Sequence, residues 1–387
     1  MAQPFSFAAL ETPPAPLFTL RETPDLIPHT TDTDTDIELN EHSRAYAANE
    51  RQILALVELG RALIDAGYEW ICPTPQTQAL VNGRFVNRKA HDLRGVFGWN
   101  RPATPDVLDA LPPALVQSLC EAGVLQLSID RETVRSRVRF SSFAGTLLAH
   151  AAWPTHDPEA VFFGPDTYRF GVFLERELGL ASARQWASRP MGARPFTVAD
   201  VGCGTGAGGI LAARLLEDGA TGEDPHRVIF TDPNARSLRY TRCNARIAGL
   251  DHTRCVQGQG LEAVDEPIDL VLANPPGLMD PQHRGQRHGG GELGTGPTLK
   301  VVDEALQRLA PGGRLLLCAT APVVDGMDVL WRALQPLLAR AHAERGAVHR
   351  YSLIDPDVAG AELAQPEHAE VERVAVMGLS VQLPVLR

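Results

Sequence analysis

The sequence predicts an α/β protein with a seven-stranded, mostly parallel sheet that carries helices on both faces, preceded by a smaller α+β domain. From about Phe196 onward, short apolar runs alternate with amphipathic helical stretches, which is typical of a parallel sheet covered by helices. Before that point, helical stretches lead into two strand-like segments, and this order resembles a winged helix. The predicted organisation is a flexible lead-in over 1–40, an N-terminal domain over 41–155 and a catalytic domain over 156–387.

The N-terminal region is predicted from its composition and apolar spacing. The lead-in is rich in Pro, Thr and Asp, which is typical of flexible segments. Helices follow in "NERQILALVELGRALIDAGY" and "TPDVLDALPPALVQSLCEAG", and strands in "VLQLSID" and "VRSRVRFSSFAG". Basic residues gather in two places. The first group is Arg84, Arg88, Lys89, Arg94 and Arg101. The second is Arg135, Arg137 and Arg139, which the alternation of a strand places on one face. They form either a face that binds RNA or DNA or the solvated side of a domain that supports the catalytic one.

The catalytic domain is predicted element by element. Its strands are "FTVADVG", "RVIFTD", "RCVQG", "IDLVLAN" and "GRLLLCA", with terminal strands near 348–353 and 371–383. Its helices span 207–217, 234–248, 298–309 and 326–343, with an earlier helix from about Asp166.

The composition excludes several classes of protein. The 387 residues are 44% hydrophobic and 21% charged, as in ordinary globular proteins. We expect no membrane span and no export signal, because no apolar run reaches about 18 residues and the start is not basic. Six scattered cysteines argue against a structural metal site or a disulfide framework and favour the cytoplasm. The net charge of −11 argues against an overall grip on phosphates but permits a local basic face.

A glycine-rich turn follows the first strand of the catalytic domain. "VADVGCGTGAGGI" places Gly202, Gly204 and Gly206 between a strand and a helix, where glycines let a ligand approach the backbone closely. The turn alone also suits a dinucleotide. Asp200, however, would repel a pyrophosphate and attract an ammonium group. Asp232, at the end of the second strand, suits ribose hydroxyls, or else it caps the next helix. An ammonium group and a ribose without phosphate together indicate S-adenosylmethionine.

The fourth strand ends in "NPPG", which places two hydrogen-bond acceptors at the edge of the sheet. Asn274 offers its side-chain oxygen as one acceptor. Pro275 and Pro276 lack N–H groups and restrict the backbone, so the Pro275 carbonyl is held in a fixed orientation as the second acceptor. Two fixed acceptors can hold a planar NH2 group with its lone pair aimed at an electrophile. The motif therefore predicts methylation of an amide or amine nitrogen.

These motifs resemble those of known enzymes. "DVGCGTG" resembles motif I of the Rossmann-like class I S-adenosylmethionine-dependent methyltransferases, and the N-P-P tetrad resembles that of N-methyltransferases. Over roughly 162–318 the chain is most similar to the release-factor type of protein-glutamine N-methyltransferases, with Asn244 at a structural asparagine. The resemblance implies catalytic roles for Asn274, Pro275 and Pro276. It implies cofactor-binding roles for Asp200, Gly202, Gly204, Gly206, Asp232, Asp166 and Thr167.

Some positions stay open. Gln259 is a candidate for the adenine amine or a plain loop residue, and Asp166 and Thr167 fit a helix start equally well. The family has Tyr or Phe after the second proline, whereas this chain has Gly277; Phe162, Phe163 and Tyr168 are candidate replacements. The loop "HRGQRHGGGELGTGPT" fits a mobile lid, a metal site at His283 and His288, or a flexible connection.

The predicted function is S-adenosylmethionine-dependent N-methyl transfer in the cytoplasm, with a protein glutamine side chain as the first acceptor. A nucleobase amino group in RNA or DNA is the alternative acceptor. A non-catalytic, cofactor-binding regulatory module and, more distantly, an NAD-dependent oxidoreductase are alternatives of a different class. We expect neither a metal nor a membrane among the partners.

Overall fold

The computed structural model describes residues 33–154, 157–179, 194–217, 226–250, 253–280, 288–360 and 362–385. The chain divides into two compact units. One comprises Met1–Thr155 with Arg242–Ala248, and the other comprises His156–Thr241 with Gly249–Arg387. We keep 41–155 and 156–387 as the proposed domains.

The first unit begins with a long helix, α1 (Thr33–Asp65), which starts inside the predicted lead-in. The acidic sequence at that start favours a helix N-terminus. Residues 1–32 of the predicted lead-in lie outside the described residues. The remaining elements of this unit are α2 (Pro75–Asn82), α3 (Leu93–Phe97), α4 (Pro113–Glu121), β1 (Leu125–Leu127), β2 (Val134–Ser136), β3 (Val138–Phe143) and β4 (Thr146–Ala151). Two antiparallel hairpins, β1–β2 and β3–β4, thus follow α4, and the winged-helix-like description stays a prediction.

The arginines of the predicted basic strand do not share one face. The chain leaves β2 at Ser136 and starts β3 at Val138, so the alternation is interrupted. Arg139 is only 3% exposed. Its guanidinium donates to the Ala151 carbonyl at 2.9 Å and to Gln78 Oε1 at 3.0 Å. Arg139 is therefore a buried structural residue, and its predicted place on a basic surface was wrong.

The second unit is built around a twisted sheet. Its elements are α5 (Pro165–Leu178), β5 (Thr197–Val201), α6 (Ala207–Glu217), β6 (Arg227–Asp232), α7 (Ala235–Ile247), β7 (Thr253–Gln257), β8 (Ile268–Ala273), α8 (Gly296–Arg308), β9 (Leu309–Val324), β10 (Met327–Asp328), α9 (Val329–Arg345), β11 (Val348–Asp355) and β12 (Arg373–Gln382). Short 3-10 helices lie at Phe85–Asn87, Pro105–Ala110, Glu292–Gly294, Glu362–Ala364 and Pro366–His368. Helix α7 crosses the boundary between the units, since residues 242–248 cluster with the first.

The strand order in the sheet is β11-β12-β9-β8-β5-β6-β7, and the two-residue β10 pairs with β9 beside this path. The five strands from β9 to β7 in this order pair in parallel, and β12 runs against both of its neighbours. Every residue of β8 is buried, as expected for a strand covered on both faces. The mostly parallel α/β sheet predicted from the alternating pattern is therefore present.

The main apolar core lies between this sheet and helices α8 and α9. It joins aliphatic side chains of the central strands to those of the two helices, including Val271, Leu315, Leu317, Val302, Leu306, Leu330 and Leu334. Packing of these groups holds the central strands in register, and the register decides which loops meet at the carboxyl edge of the sheet.

Candidate functional site

The glycine turn after β5 has the backbone conformation that only glycine adopts without strain. Gly202, Gly204 and Gly206 have φ values of 66°, 55° and 79°. The N–H groups of Gly202 and Cys203 both donate to the Thr231 carbonyl, at 2.8 and 3.0 Å. The turn is thereby tied to the end of β6 before the chain enters α6.

The three glycines differ in what lies beside them. A Cβ added at Gly202 or Gly204 would meet nothing within 4 Å, whereas one at Gly206 would lie 2.9 Å from the Thr241 side chain. Thr241 also donates to the Gly204 carbonyl at 3.1 Å. Gly206 is therefore required for packing, and the first two glycines border open space in which a ligand fits against the backbone.

Asp200 lies beneath this turn and is only 2% exposed. Its Oδ2 accepts a hydrogen bond from the Gly209 N–H, in the first turn of α6, at 2.8 Å. Burial raises the pKa of the Asp200 carboxyl to about 7; the nearby Asp232 adds to the rise, and the Gly209 bond opposes it. The carboxyl is thus poised to ionise near neutral pH, and its ionised form is stabilised by any positive charge that enters the site.

Asp232, at the end of β6, is 7% exposed and binds the turn from the other side. Its two oxygens accept from the Gly204 N–H at 2.9 Å and from the Asn234 N–H at 2.8 Å. Burial raises the pKa of this carboxyl as well. The Ser237 side chain also donates to this carboxyl, so three of its roughly four acceptor positions are used and about one stays open to a ligand hydroxyl.

Strand register brings the predicted residues to one edge of the sheet. Val201 pairs with Ala273 of β8 on one side and with Thr231 of β6 on the other. The next residue along each strand is Gly202, Asn274 and Asp232, respectively, and neighbouring strands lie about 4.8 Å apart. The glycine turn, the N-P-P motif and the second carboxylate therefore begin at the same level.

Asn274, Pro275 and Pro276 are half-buried. Among the described residues, the Asn274 side chain has no hydrogen-bond partner, so its amide is available to a ligand. The prolines have no N–H to compete for that role. The two residues that follow Asn274 therefore offer carbonyl acceptors but no N–H donors at this edge of the sheet.

Gly277 explains the missing aromatic residue of the tetrad. Thr320 of β9 donates its hydroxyl to the Gly277 carbonyl at 2.9 Å. A Cβ at Gly277 would lie 2.1 Å from that hydroxyl oxygen, so a side chain at this position would displace the Thr320 hydroxyl. Phe163 does not offer a stacking face instead, because it is fully buried and packs edge-on against Tyr168 at 5.2 Å between ring centroids.

The glycine-rich loop is packed against this turn where the structure describes it. The Gly289 N–H donates to the Leu278 carbonyl at 2.8 Å. Gly294 has a φ of 88°, and a Cβ there would lie 2.4 Å from the Gly277 carbonyl oxygen. These glycines allow close backbone-to-backbone contact, so residues 288–296 form a packed strap rather than a loose connection.

The sequence offers His283 and His288 of this loop as candidate metal ligands. His283 lies outside the described residues, and His288 Nδ1 lies 3.1 Å from the Asp280 carbonyl oxygen. Across the described ranges, no three His, Cys, Asp or Glu side chains are grouped to hold a metal ion.

The other predicted cofactor residues lie at element ends. Gln259 is exposed, and its Oε1 accepts from Lys300 Nζ at 3.4 Å. Asp166, in the first turn of α5, pairs with Arg169 at 2.9 Å. Thr167 Oγ1 lies 3.5 Å from the Gly164 N–H, as a residue at a helix start does. Their contact with a cofactor stays a prediction.

Sequence patterns did not reveal Thr241 and Thr320. They act through the Gly204 and Gly277 carbonyls, from positions 37 and 43 residues further along the chain. No motif marks either threonine, because each contact depends on how a helix or strand packs beside the loop.

The family model described as "Methyltransferase small domain" matches residues 169–335, less than half of the chain. No curated protein matches the sequence. None of the helices in the described ranges combines the length and apolar character that a membrane crossing requires.

Several solved structures are similar at low identity. Trm5b from Pyrococcus abyssi shares 14% identity over 64% of this chain and 56% of its own, with a TM-score of 0.40. A ribosomal protein L11 methylase from Lactobacillus delbrueckii subsp. bulgaricus shares 18% over 58% and 80%, with a TM-score of 0.33. A SAM-dependent methyltransferase from Agrobacterium tumefaciens shares 15% over 64% and 70%, with a TM-score of 0.39.

The alignment thus spans little more than half of the first of these structures, and the similarity is too low to carry a substrate. The expectation of an enzyme depends on the family match. Residues 169–335 are similar to this methyltransferase domain, whose expected cofactor is S-adenosylmethionine.

Proposed function

We propose that this chain is an S-adenosylmethionine-dependent N-methyltransferase that acts on a planar amide or amine nitrogen. The observation that carries the proposal is the shared level of Gly202 and Asn274, one residue beyond the paired Val201 and Ala273. Cofactor and acceptor would then meet at one edge of the sheet, which is where open α/β folds bind ligands.

The residues around the glycine turn fit the cofactor. Open space borders Gly202 and Gly204, so the backbone can approach the methionine part without a Cβ in the way. The Asp200 carboxyl provides negative charge for its ammonium group, and Asp232 retains acceptor capacity for a ribose hydroxyl. We assign cofactor contacts also to Gly206, Gln259, Asp166 and Thr167.

The acceptor nitrogen is held by the N-P-P motif in this proposal. When bound, the cofactor supplies a methyl group made electrophilic by a positively charged sulfur. Asn274 Oδ1 and the Pro275 carbonyl accept the two N–H groups of the acceptor, which leaves its lone pair facing the methyl group. Pro276 restricts the backbone behind them. No buried base is needed, because the nitrogen becomes acidic only once the new N–C bond has replaced the methyl–sulfur bond, and its proton would then be released to water.

A protein glutamine side chain is the first acceptor that we propose. Its amide is planar, and it needs only the two acceptors for orientation. The resemblance of the N-P-P tetrad supports the same choice.

A nucleobase amino group is the second candidate acceptor. The observation that favours it is a set of exposed, unpaired basic side chains at 84–94 in the first unit. Such side chains suit a phosphate backbone.

Substituting Asn274 tests the proposed chemistry directly. Asn274→Ala should bind S-adenosylhomocysteine as the natural protein does, measured by calorimetry, while methyl transfer falls about 100- to 1000-fold. Asn274→Asp keeps an acceptor oxygen and should retain more activity than the alanine variant. The acceptor is identified by mass spectrometry of protein and RNA from a lysate incubated with isotopically labelled methyl donor.

Three results would contradict the proposal. Unchanged transfer by Asn274→Ala removes the motif from the chemistry. Cofactor binding by the natural protein without transfer to any lysate component favours a non-catalytic module. Binding of NAD in place of S-adenosylhomocysteine favours an oxidoreductase.

A further inference from the structure

The first unit carries an exposed aromatic ring with one arginine over it and further basic residues nearby in the sequence. Residues 83–94 hold four basic side chains and one carboxylate, in a chain whose net charge is −11. Phe85 is 77% exposed and the adjacent Val86 is 73% exposed. The Arg88 guanidinium lies 4.7 Å from the centroid of the Phe85 ring. We call residues 83–94 the basic segment.

The cations of the basic segment have no carboxylate partners. Within the described ranges, the side chains of Arg84, Arg88, Lys89 and Arg94 form neither an ion pair nor a hydrogen bond. Exposed arginines elsewhere do form pairs, among them Arg254 with Glu266, Arg332 with Glu292 and Arg340 with Asp303. No carboxylate in the described part of the chain therefore neutralises the basic segment, and its positive charge is available to an anion.

The single carboxylate of the basic segment is already engaged. Asp92 accepts a hydrogen bond from the Gly95 N–H at 2.6 Å and so begins helix α3. The charge of Asp92 also acts on Arg101, which lies outside the basic segment. The acid in the middle of the basic segment thus has a structural role.

The basic segment is anchored from behind. Gln78 and Asn82 of α2 both donate to the Trp99 carbonyl, at 3.1 and 2.9 Å. The Ala90 N–H donates to the Pro102 carbonyl at 2.8 Å. The Ala90 bond lies within the basic segment, and the other two bonds join the residues that precede it to a residue that follows it. The segment is thus held on both sides, which lowers the entropic cost of binding.

We propose that the basic segment docks single-stranded RNA, with phosphates on its basic side chains and one base on Phe85. Unpaired cations next to an exposed aromatic ring are the combination that binds single strands, since every base has a face that can stack. RNA loops and ends display such unstacked bases, whereas a duplex hides them. An acidic peptide would use the charges but not the ring. This docking rests on the nucleobase alternative of the proposed function, for which it names the partner. The binding itself can be measured whether or not methyl transfer occurs.

Fluorescence anisotropy with a short, labelled, mixed-sequence single-stranded RNA tests the docking. The full chain is used without cofactor, and salt is varied. Four phosphate contacts predict a slope of log K against log salt of about −3, because each contact on a single strand contributes about −0.7. In the triple variant Arg84→Ala, Arg88→Ala and Lys89→Ala, the slope should become less steep by about 2, because three contacts are removed.

A matched triple variant controls for net charge. Arg254→Ala, Arg332→Ala and Arg340→Ala removes the same charge from exposed, ion-paired arginines and should leave the slope unchanged. Surface pairs of this kind contribute little to stability, so both triple variants should fold, which circular dichroism verifies.

Phe85 tests the stacking separately from the charge. Phe85→Ala should weaken RNA binding about 5- to 100-fold with an unchanged salt slope, because stacking contributes about 1–3 kcal/mol per base. Phe85→Trp should retain binding. Both variants should be as stable as the natural protein, because the ring is 77% exposed.

Four outcomes would overturn the docking. They are no RNA binding at low salt, equal losses in the two triple variants, equally tight binding of double-stranded RNA, and binding of an acidic peptide alone. RNA binding without any methyl transfer leaves the docking intact and contradicts the proposed function. Glutamine methylation without RNA binding contradicts the docking and leaves the proposed function intact.

Discussion

Replacing Gly277 by alanine tests whether Thr320 determines the shape of the N-P-P-G turn. The added Cβ would lie 2.1 Å from Thr320 Oγ1, far inside contact distance. The hydroxyl must then rotate away and lose its hydrogen bond to the Gly277 carbonyl. Overpacking costs about 1–3 kcal/mol and the lost bond about 1 kcal/mol. We therefore expect Gly277→Ala to lower the free energy of unfolding by about 2–4 kcal/mol.

A second substitution should relieve the clash. Thr320→Ala removes the oxygen and by itself costs about 1 kcal/mol, the value of one hydrogen bond. In the double variant the two Cβ atoms stand 3.4 Å apart, a tight contact that small shifts accommodate. The double variant should therefore be more stable than Gly277→Ala, with a coupling of about 1–3 kcal/mol.

Urea unfolding followed by circular dichroism ranks the variants by midpoint. Methyl transfer, measured in parallel with labelled donor, should fall in Gly277→Ala and recover in part in the double variant, because the N-P-P backbone returns to its place. If the double variant unfolds earlier than either single variant, as additive costs require, the steric reasoning is refuted.

Two further predictions concern the glycine turn. The Asp200 carboxyl stays protonated in the folded chain up to about pH 7, whereas it ionises near 4 in the unfolded chain, so the folded state binds an extra proton in that window. Stability should therefore fall as pH rises from about 4 through 7, with Asp200 contributing at most about 4 kcal/mol. Asp200→Asn should remove this contribution and so reduce the slope in urea unfolding, to which the raised pKa of Asp232 also contributes. An unchanged slope contradicts the assignment. Gly204→Ala adds a Cβ that meets nothing within 4 Å and costs about 1 kcal/mol for its left-handed backbone. Calorimetry of Gly204→Ala should show a loss of S-adenosylhomocysteine affinity of about tenfold or more. Equal affinity would place the cofactor elsewhere.

The sequence was sufficient for the sheet and for the order of the residues at its edge. Alternating apolar strands and amphipathic helices predict a parallel sheet, and the carboxyl ends of parallel strands share one edge. The positions of Gly202, Asp232 and Asn274 just beyond their strands therefore predict that they begin at one level, as the register shows. Positive φ at three glycines was likewise foreseeable, because only glycine adopts it without strain.

Contacts between distant parts of the chain were decided by the tertiary structure alone. Thr320 fills the space above Gly277, and Arg139 turns inward to Gln78 instead of joining a basic face. The glycine-rich strap packs on the same turn through backbone atoms that carry no sequence signal. Local patterns depend on neighbours along the chain, whereas these contacts depend on strand register and on which surfaces meet when the core closes.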